Sequence, residues 1–127
     1  MHPSDAYYKL IFMADEKLQE MLGAVQVQNQ QLQNVMMQKQ TLSVQKMEID
    51  KALEEVEKAD SDLYKSVGPV LIKSTKAKIS EELEELKEHM DIKIKSLDKQ
   101  EKKLQEMMQE SQTRLQEMIN PHGAQAG

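Results

Sequence analysis

Apolar residues recur along this chain at steps of three and four in two long stretches, separated by a short segment where that period is lost. In the first stretch Leu18, Leu22, Val25, polar Asn29, Leu32 and Met36 trace one seam. It resumes one residue early beyond Lys39 as Leu42, Lys46, Ile49, Leu53 and Val56. Such spacing predicts a helix over residues 15–60 with one face against a neighbour, and the early resumption predicts a stammer in its winding. In the second stretch the seam reads Ile79, Leu83, Leu86, Met90, Ile94, Leu97, Glu101, Leu104, Met108, Ser111, Leu115 and Met118. A helix over residues 75–120 follows, with two four-residue steps around Met90 that predict a stutter. Ser74 or Thr75 is placed to cap it, and Pro121 to stop it.

The aperiodic segment between them, residues 61–74, holds the interior Gly68-Pro69 pair. The pair punctuates two short runs, Leu63, Tyr64 and Val67 before it and Val70, Leu71 and Ile72 after it, whose β-branched and aromatic content predicts a β-hairpin. The chain therefore reverses at its midpoint, and the two helices of nearly equal length are expected to zip as an antiparallel coiled coil. A two-stranded hairpin exposes unpaired edges and cannot bury an apolar face alone. Its natural cover is the hairpin of another subunit. The class predicted is mainly α, with a central hairpin that carries assembly.

At the far end of the zipped arms Leu18, Met21, Leu22 and Val25 are expected to meet Leu115, Met118 and Ile119. A two-helix tip has too few layers to cover every apolar side chain, so exposure is expected there for Met21, Met118 and Ile119, whereas Met36, Met90 and Met108 are expected to fill the seam. Residues 1–14, with Tyr7, Tyr8, Ile11 and Phe12 but no sustained heptad, read as a disordered or extraneous tail ahead of a natural start at Met13-Ala14-Asp15-Glu16; the other reading is a sticky functional extension. Residues 121–127 read as a disordered tail.

Composition supports this outline. With 39% hydrophobic, 3% aromatic and 31% charged residues in 127, the chain is poor material for a globular core and suits long helices. Pairs at four-residue spacing, such as Glu54 with Lys58, Asp91 with Lys95 and Asp98 with Lys102, are expected to support the exposed faces. A net charge of −5, with acidic residues spread throughout, speaks against general nucleic-acid binding. No apolar run is long enough to span a bilayer, and cysteine is absent, so a soluble cytoplasmic protein is expected.

Candidate chemistry is sparse. His2, His89 and His122 lack metal-ligand companions at helical spacing, so no metal site or cofactor is expected. Glu81, Glu82, Glu84 and Glu85 form a carboxylate cluster in opening helical turns, where a solvated face is the usual role. No nucleophile, phosphate-loop or zinc-protease motif occurs, so no catalytic residue is assigned and an enzyme is not expected. What remains is binding, either through an exposed Met-rich surface that adapts to varied apolar partners or as a coiled-coil adaptor with one defined partner.

Four segments then identify a family. Gln38-Lys39-Gln40, Lys51-Ala52-Leu53-Glu54-Glu55-Val56, Tyr64 through Lys73 including Gly68, and Leu97-Asp98-Lys99-Gln100-Glu101 together resemble the β-type subunit of prefoldin, archaeal in type, from about Asp15 onward. The resemblance implies an ATP-independent holdase in which two α-type and four β-type subunits join their hairpins into a double β-barrel. It implies that coiled-coil tips capture unfolded clients for a group II chaperonin. On this chain those roles fall to Leu18, Met21, Leu22, Val25, Leu115, Met118 and Ile119 at the tip, and to Leu63, Tyr64, Val67, Gly68, Val70, Leu71 and Ile72 in the hairpin. The single hairpin marks the β type, since an α-type subunit carries two.

Overall fold

In the computed structural model the described backbone runs from residue 3 to residue 120, with side chains from Asp5, in the order α1 (Pro3–Lys58), β1 (Leu63–Val67), β2 (Val70–Ser74), α2 (Lys76–Ile119). The readings made for Met1, His2 and residues 121–127 lie outside the described residues. The chain divides into a hairpin unit, residues 36–99, and a terminal unit made of residues 1–35 and 100–127.

The hairpin forms where the sequence reverses. Its strands pair antiparallel from Leu63 with Ser74 to Val67 with Val70, leaving Gly68 and Pro69 as a two-residue turn. Gly68 has φ of 57°, a conformation that glycine alone adopts without strain. Pro69 has no access to positive φ, so the turn is type II′, the mirror-image kind whose twist suits a tight hairpin. Thr75 then caps α2: its hydroxyl accepts from the Lys78 amide at 3.2 Å, and its carbonyl from Ile79 at 3.0 Å.

Within the hairpin unit the two helices run antiparallel in a defined register. Lys39 pairs with Asp98 at 2.5 Å, Lys46 with Asp91 at 2.5 Å and Asp50 with Lys87 at 2.6 Å. Steps of seven and four forward along α1 are matched by steps of seven and four backward along α2. Asp91 and Asp98 are thus used across the helix pair, where i,i+4 pairing along α2 was predicted.

Among the sheltered positions of α1, Leu18, Met21, Val25, Gln28, Leu32, Val35, Lys39, Leu42, Lys46, Ile49, Leu53 and Val56 alternate three and four without a slip, with Gly23, Asp50 and Ala52 half-buried beside them. In α2 the same alternation runs through Ser80, Leu83, Lys87, Met90, Ile94, Leu97, Glu101, Leu104, Met108, Ser111, Leu115 and Met118, with Ile79, Glu82 and Asp91 half-buried beside it. The stammer near Lys39 and the stutter near Met90 are therefore corrected. Leu22, Asn29, Met36 and Leu86 lie off the seam, and Met21, Gln28, Val35 and Lys87 occupy it. Lys39 and Lys87 were passed over, whereas Lys46 was read on the seam; in each a lysine stem lies along the seam while its ammonium reaches an aspartate on the opposite helix. Seam layers built this way bury little. Val35, Ile49 and Leu97 are the buried apolar side chains, all at 6–8% exposure.

A second difference lies at the start of α1. The helix begins at Pro3, so residues 3–14 are helical where a tail was predicted. Proline is well placed in a first turn, and extending an existing helix avoids the cost of nucleating one. No glycine or second proline interrupts the chain before Gly23.

Candidate functional site

Two apolar surfaces are presented, one in each unit. In the hairpin, pairing partners share a face, which puts Leu63, Val67, Val70 and Ile72 on one side and Tyr64 and Leu71 on the other. Leu63 is half-buried, but Tyr64, Val67, Val70, Leu71 and Ile72 are exposed, Leu71 at 69%. Each is a side chain whose burial contributes roughly 1.5–3 kcal/mol. A sheet with apolar groups on both faces and two unpaired edges is built to be covered. Lys65 anchors it, its ammonium 2.7 Å from Glu82 of α2, while Lys73 reaches Asp62 across the hairpin at 3.4 Å.

In the terminal unit the predicted tip residues separate into two sets. Leu18, Met21, Val25, Leu115 and Met118 are half-buried, while Leu22 at 45% and Ile119 at 65% stand exposed. Met21 and Met118 are thus more sheltered than expected, because both fall on the seam. Met36, expected in the seam, is exposed instead, while Met90 and Met108 fill it as expected. Leu18, Met118 and Ile119 come together in a groove of about 470 Å³ completed by Tyr8, Ile11, Phe12, Ala14 and Asp15. A second groove of about 440 Å³ runs over Gln31, Asn34, Val35, Gln100, Lys103, Leu104 and Met107.

Residues the sequence reading set aside therefore contribute. Tyr7, Tyr8, Leu10, Ile11, Phe12 and Met13 are all exposed on the first turns of α1. A signal for part of this was present: stepping back from Leu18 by four, three and four reaches Ala14, Ile11 and Tyr7, so the heptad phase continues into the supposed tail.

The sheltered seam carries one polar irregularity. The Gln28 side-chain oxygen is buried without a hydrogen-bond partner. Two titrating groups are shifted by the ion pairs described above. The hydrogen bond from Lys46 holds the Asp91 carboxyl below its ordinary 3.8, and the bond to Asp50 raises the Lys87 ammonium above its ordinary 10.5. Both groups lie in the register lock and neither faces a cavity suited to acid–base work. Among the described residues no group of three His, Cys, Asp or Glu is arranged to hold a metal, and no described helix is long and apolar enough to cross a membrane.

Comparison with known proteins points the same way as the geometry. The prefoldin subunit family model matches residues 19–121. Prefoldin subunit beta of Thermococcus onnurineus is 40% identical over 107 residues, which is 83% of this chain and 92% of the relative. Prefoldin subunit beta of Archaeoglobus fulgidus is 38% identical over the same shares. Among solved structures, the prefoldin beta subunit from Thermococcus strain KS-1 superposes with a TM-score of 0.74 at 39% identity, covering 79% of this chain and 90% of that one. The beta2 subunit from the same strain shares the fold, with a TM-score of 0.63 at 21% identity.

Proposed function

The chain belongs to the prefoldin family as a β-type subunit, and from that premise we propose that it works as an ATP-independent holdase. In this reading its hairpin joins those of α-type and further β-type subunits in an α2β4 hexamer. The terminal unit captures unfolded clients, which pass to a group II chaperonin in the cytoplasm. The observation that carries the reading is the pairing of two exposed apolar surfaces with opposite characters. One is a two-stranded sheet with open edges, suited to a fixed mate. The other is a helix end rich in Met, Leu and Ile, with shallow grooves.

Clients that differ in sequence share exposed apolar surface, so a general holdase needs adaptable apolar groups and no fixed pocket. Leu18, Met21, Leu22, Val25, Leu115, Met118 and Ile119 supply these. Weak contacts from several arms then add through effective concentration. Deleting the residues before Val25 together with those after Leu115 is expected to abolish suppression of client aggregation while hexamer formation with an α-type partner continues. A truncated hexamer that protects several unrelated denatured proteins at the same molar ratio as the full chain refutes the assignment of the tip. Protection confined to a single partner favours an adaptor.

A further inference from the structure

The seam of α1 runs on past the helix that covers it. In the terminal unit α2 stops at Ile119, beside Leu18, and Asn120, which precedes Pro121, has already left the helix. Ahead of Leu18 the three–four alternation continues through Ala14, Ile11 and Tyr7, all exposed. The covering helix has ended there.

We propose that this overhang, residues 3–14 of α1, docks antiparallel on the overhang of a second copy of this chain, with Tyr7 of each copy layered against Ile11 of the other. Continuity with the α1–α2 interface is the first argument. A seam that spaces knobs at three and four residues fits a helix of the same spacing, and an extended client has no such period. Layering Tyr7 on Ile11 is the offset that places one copy's seam residues between those of an antiparallel mate, and it repeats by symmetry. Tyr8 and Leu10 flank the seam and widen the apolar strip, and the Tyr7 and Tyr8 rings already meet edge to face at 6.2 Å.

Charge is the second argument. Copies of a chain with net charge −5 repel, but residues 3–17 set Asp5, Asp15 and Glu16 against Lys9 and Lys17, close to neutrality. Lys9 lies on the face opposite the seam, so the two-fold does not press it against its own mate. The strip is short, about 18 Å at ~1.5 Å per residue, so the contact is weak between single arms and gains strength when several arms engage together.

The absence of cysteine supplies a clean test in the full-length chain. Tyr7→Cys and Ile11→Cys variants are made singly, checked for unchanged helicity by circular dichroism, and oxidised alone and mixed. Gln112→Cys, exposed elsewhere on the terminal unit, reports random collision. The mixture is expected to form a disulfide-linked heterodimer about tenfold faster than either variant alone or the collision reporter, an effective-concentration effect. Equal rates in all samples overturn the docking. Self-linking of each variant as fast as the mixture overturns the antiparallel register. Linking to a cysteine-bearing denatured client, with no linking between copies, overturns the second copy as occupant and assigns the strip to clients.

Discussion

In the hairpin unit the seam between the helices is fastened by Lys39, Lys46 and Lys87, each reaching an aspartate on the opposite helix, whereas in the terminal unit Leu18, Met21, Val25, Leu115 and Met118 line it. Charged fasteners fix which residues face each other, and between them Ile49 and Leu97 are buried. Half-buried methionines and leucines without such fasteners specify a partner less sharply. The same repeat thus locks register in one unit and leaves apolar side chains partly open in the other. The division follows from which side chains fall on the heptad positions, since both units share one repeat.

The largest expected effect comes from the hairpin. Val70→Lys with Ile72→Lys puts two charges on the face that also carries Leu63 and Val67, and burial of unpaired charge is prohibitive. Sedimentation with an α-type partner is expected to show free subunits whose helices persist; an intact hexamer contradicts barrel assembly. Next in size, Ile49→Ala removes a side chain exposed at only 7%, and is expected to cost about 2–3 kcal/mol in urea unfolding. Leu115→Ala in the terminal unit, where the side chain is half-buried, is expected to cost less than half as much. Equal losses erase the contrast between the units.

A smaller change, of opposite sign, is expected at Gln28. Replacing it with Leu removes a buried unsatisfied oxygen and is expected to raise stability by about 1 kcal/mol, read as a higher urea midpoint with unchanged slope. The smallest effect is electrostatic. Asp91 has a depressed pKa, so its contribution is fully present above the ordinary 3.8 and is lost as pH falls through its lower folded value. Lys87, raised above 10.5, contributes fully below that ordinary value and loses its contribution as pH rises through its higher folded value. Asp91→Asn is expected to flatten the acid limb of the melting temperature against pH and to move the alkaline limb much less, because the Lys87 ammonium is held up chiefly by its bond to Asp50 and only in small part by the Asp91 charge.

Much of this fold was legible in the sequence, for reasons that the residues make plain. Gly68-Pro69 admits few turn types, and the β-branched runs beside it placed the two strands, although the second runs on to Ser74, two residues past Ile72. Of the two caps the sequence offered, Ser74 and Thr75, Thr75 is the one that caps α2. The phase of the seam was harder. Leu86 was chosen over Lys87 because hydropathy discounts a lysine whose stem lies in the seam while its ammonium finds a partner in three dimensions, whereas Leu22 over Met21 and Met36 over Val35 were choices between adjacent apolar residues. The overhang was missed for the converse reason. Tyr7, Tyr8 and Phe12 look unpatterned until Leu18 is known to anchor the phase, and nothing local announces which of two adjacent leucines or methionines does so.

The ion pairs of the hairpin unit have a further consequence for how the chain avoids misfolding. A heptad pattern is blind to translation by one repeat: slide α2 by seven residues and every seam position still meets a seam position. Lys39 and Lys46 sit seven apart and do not resolve this ambiguity, since sliding one way brings Lys46 to Asp98 and sliding the other brings Lys39 to Asp91. Asp50 discriminates further, although one slip sets Lys87 against Glu57 and the other Lys46 against Glu84. In the native alignment it meets Lys87, whereas the two slipped alignments set it against Ile94 or Ser80. Its four-residue offset acts as a vernier mark on a ruler of sevens, penalising out-of-step zippering while the chain is still closing.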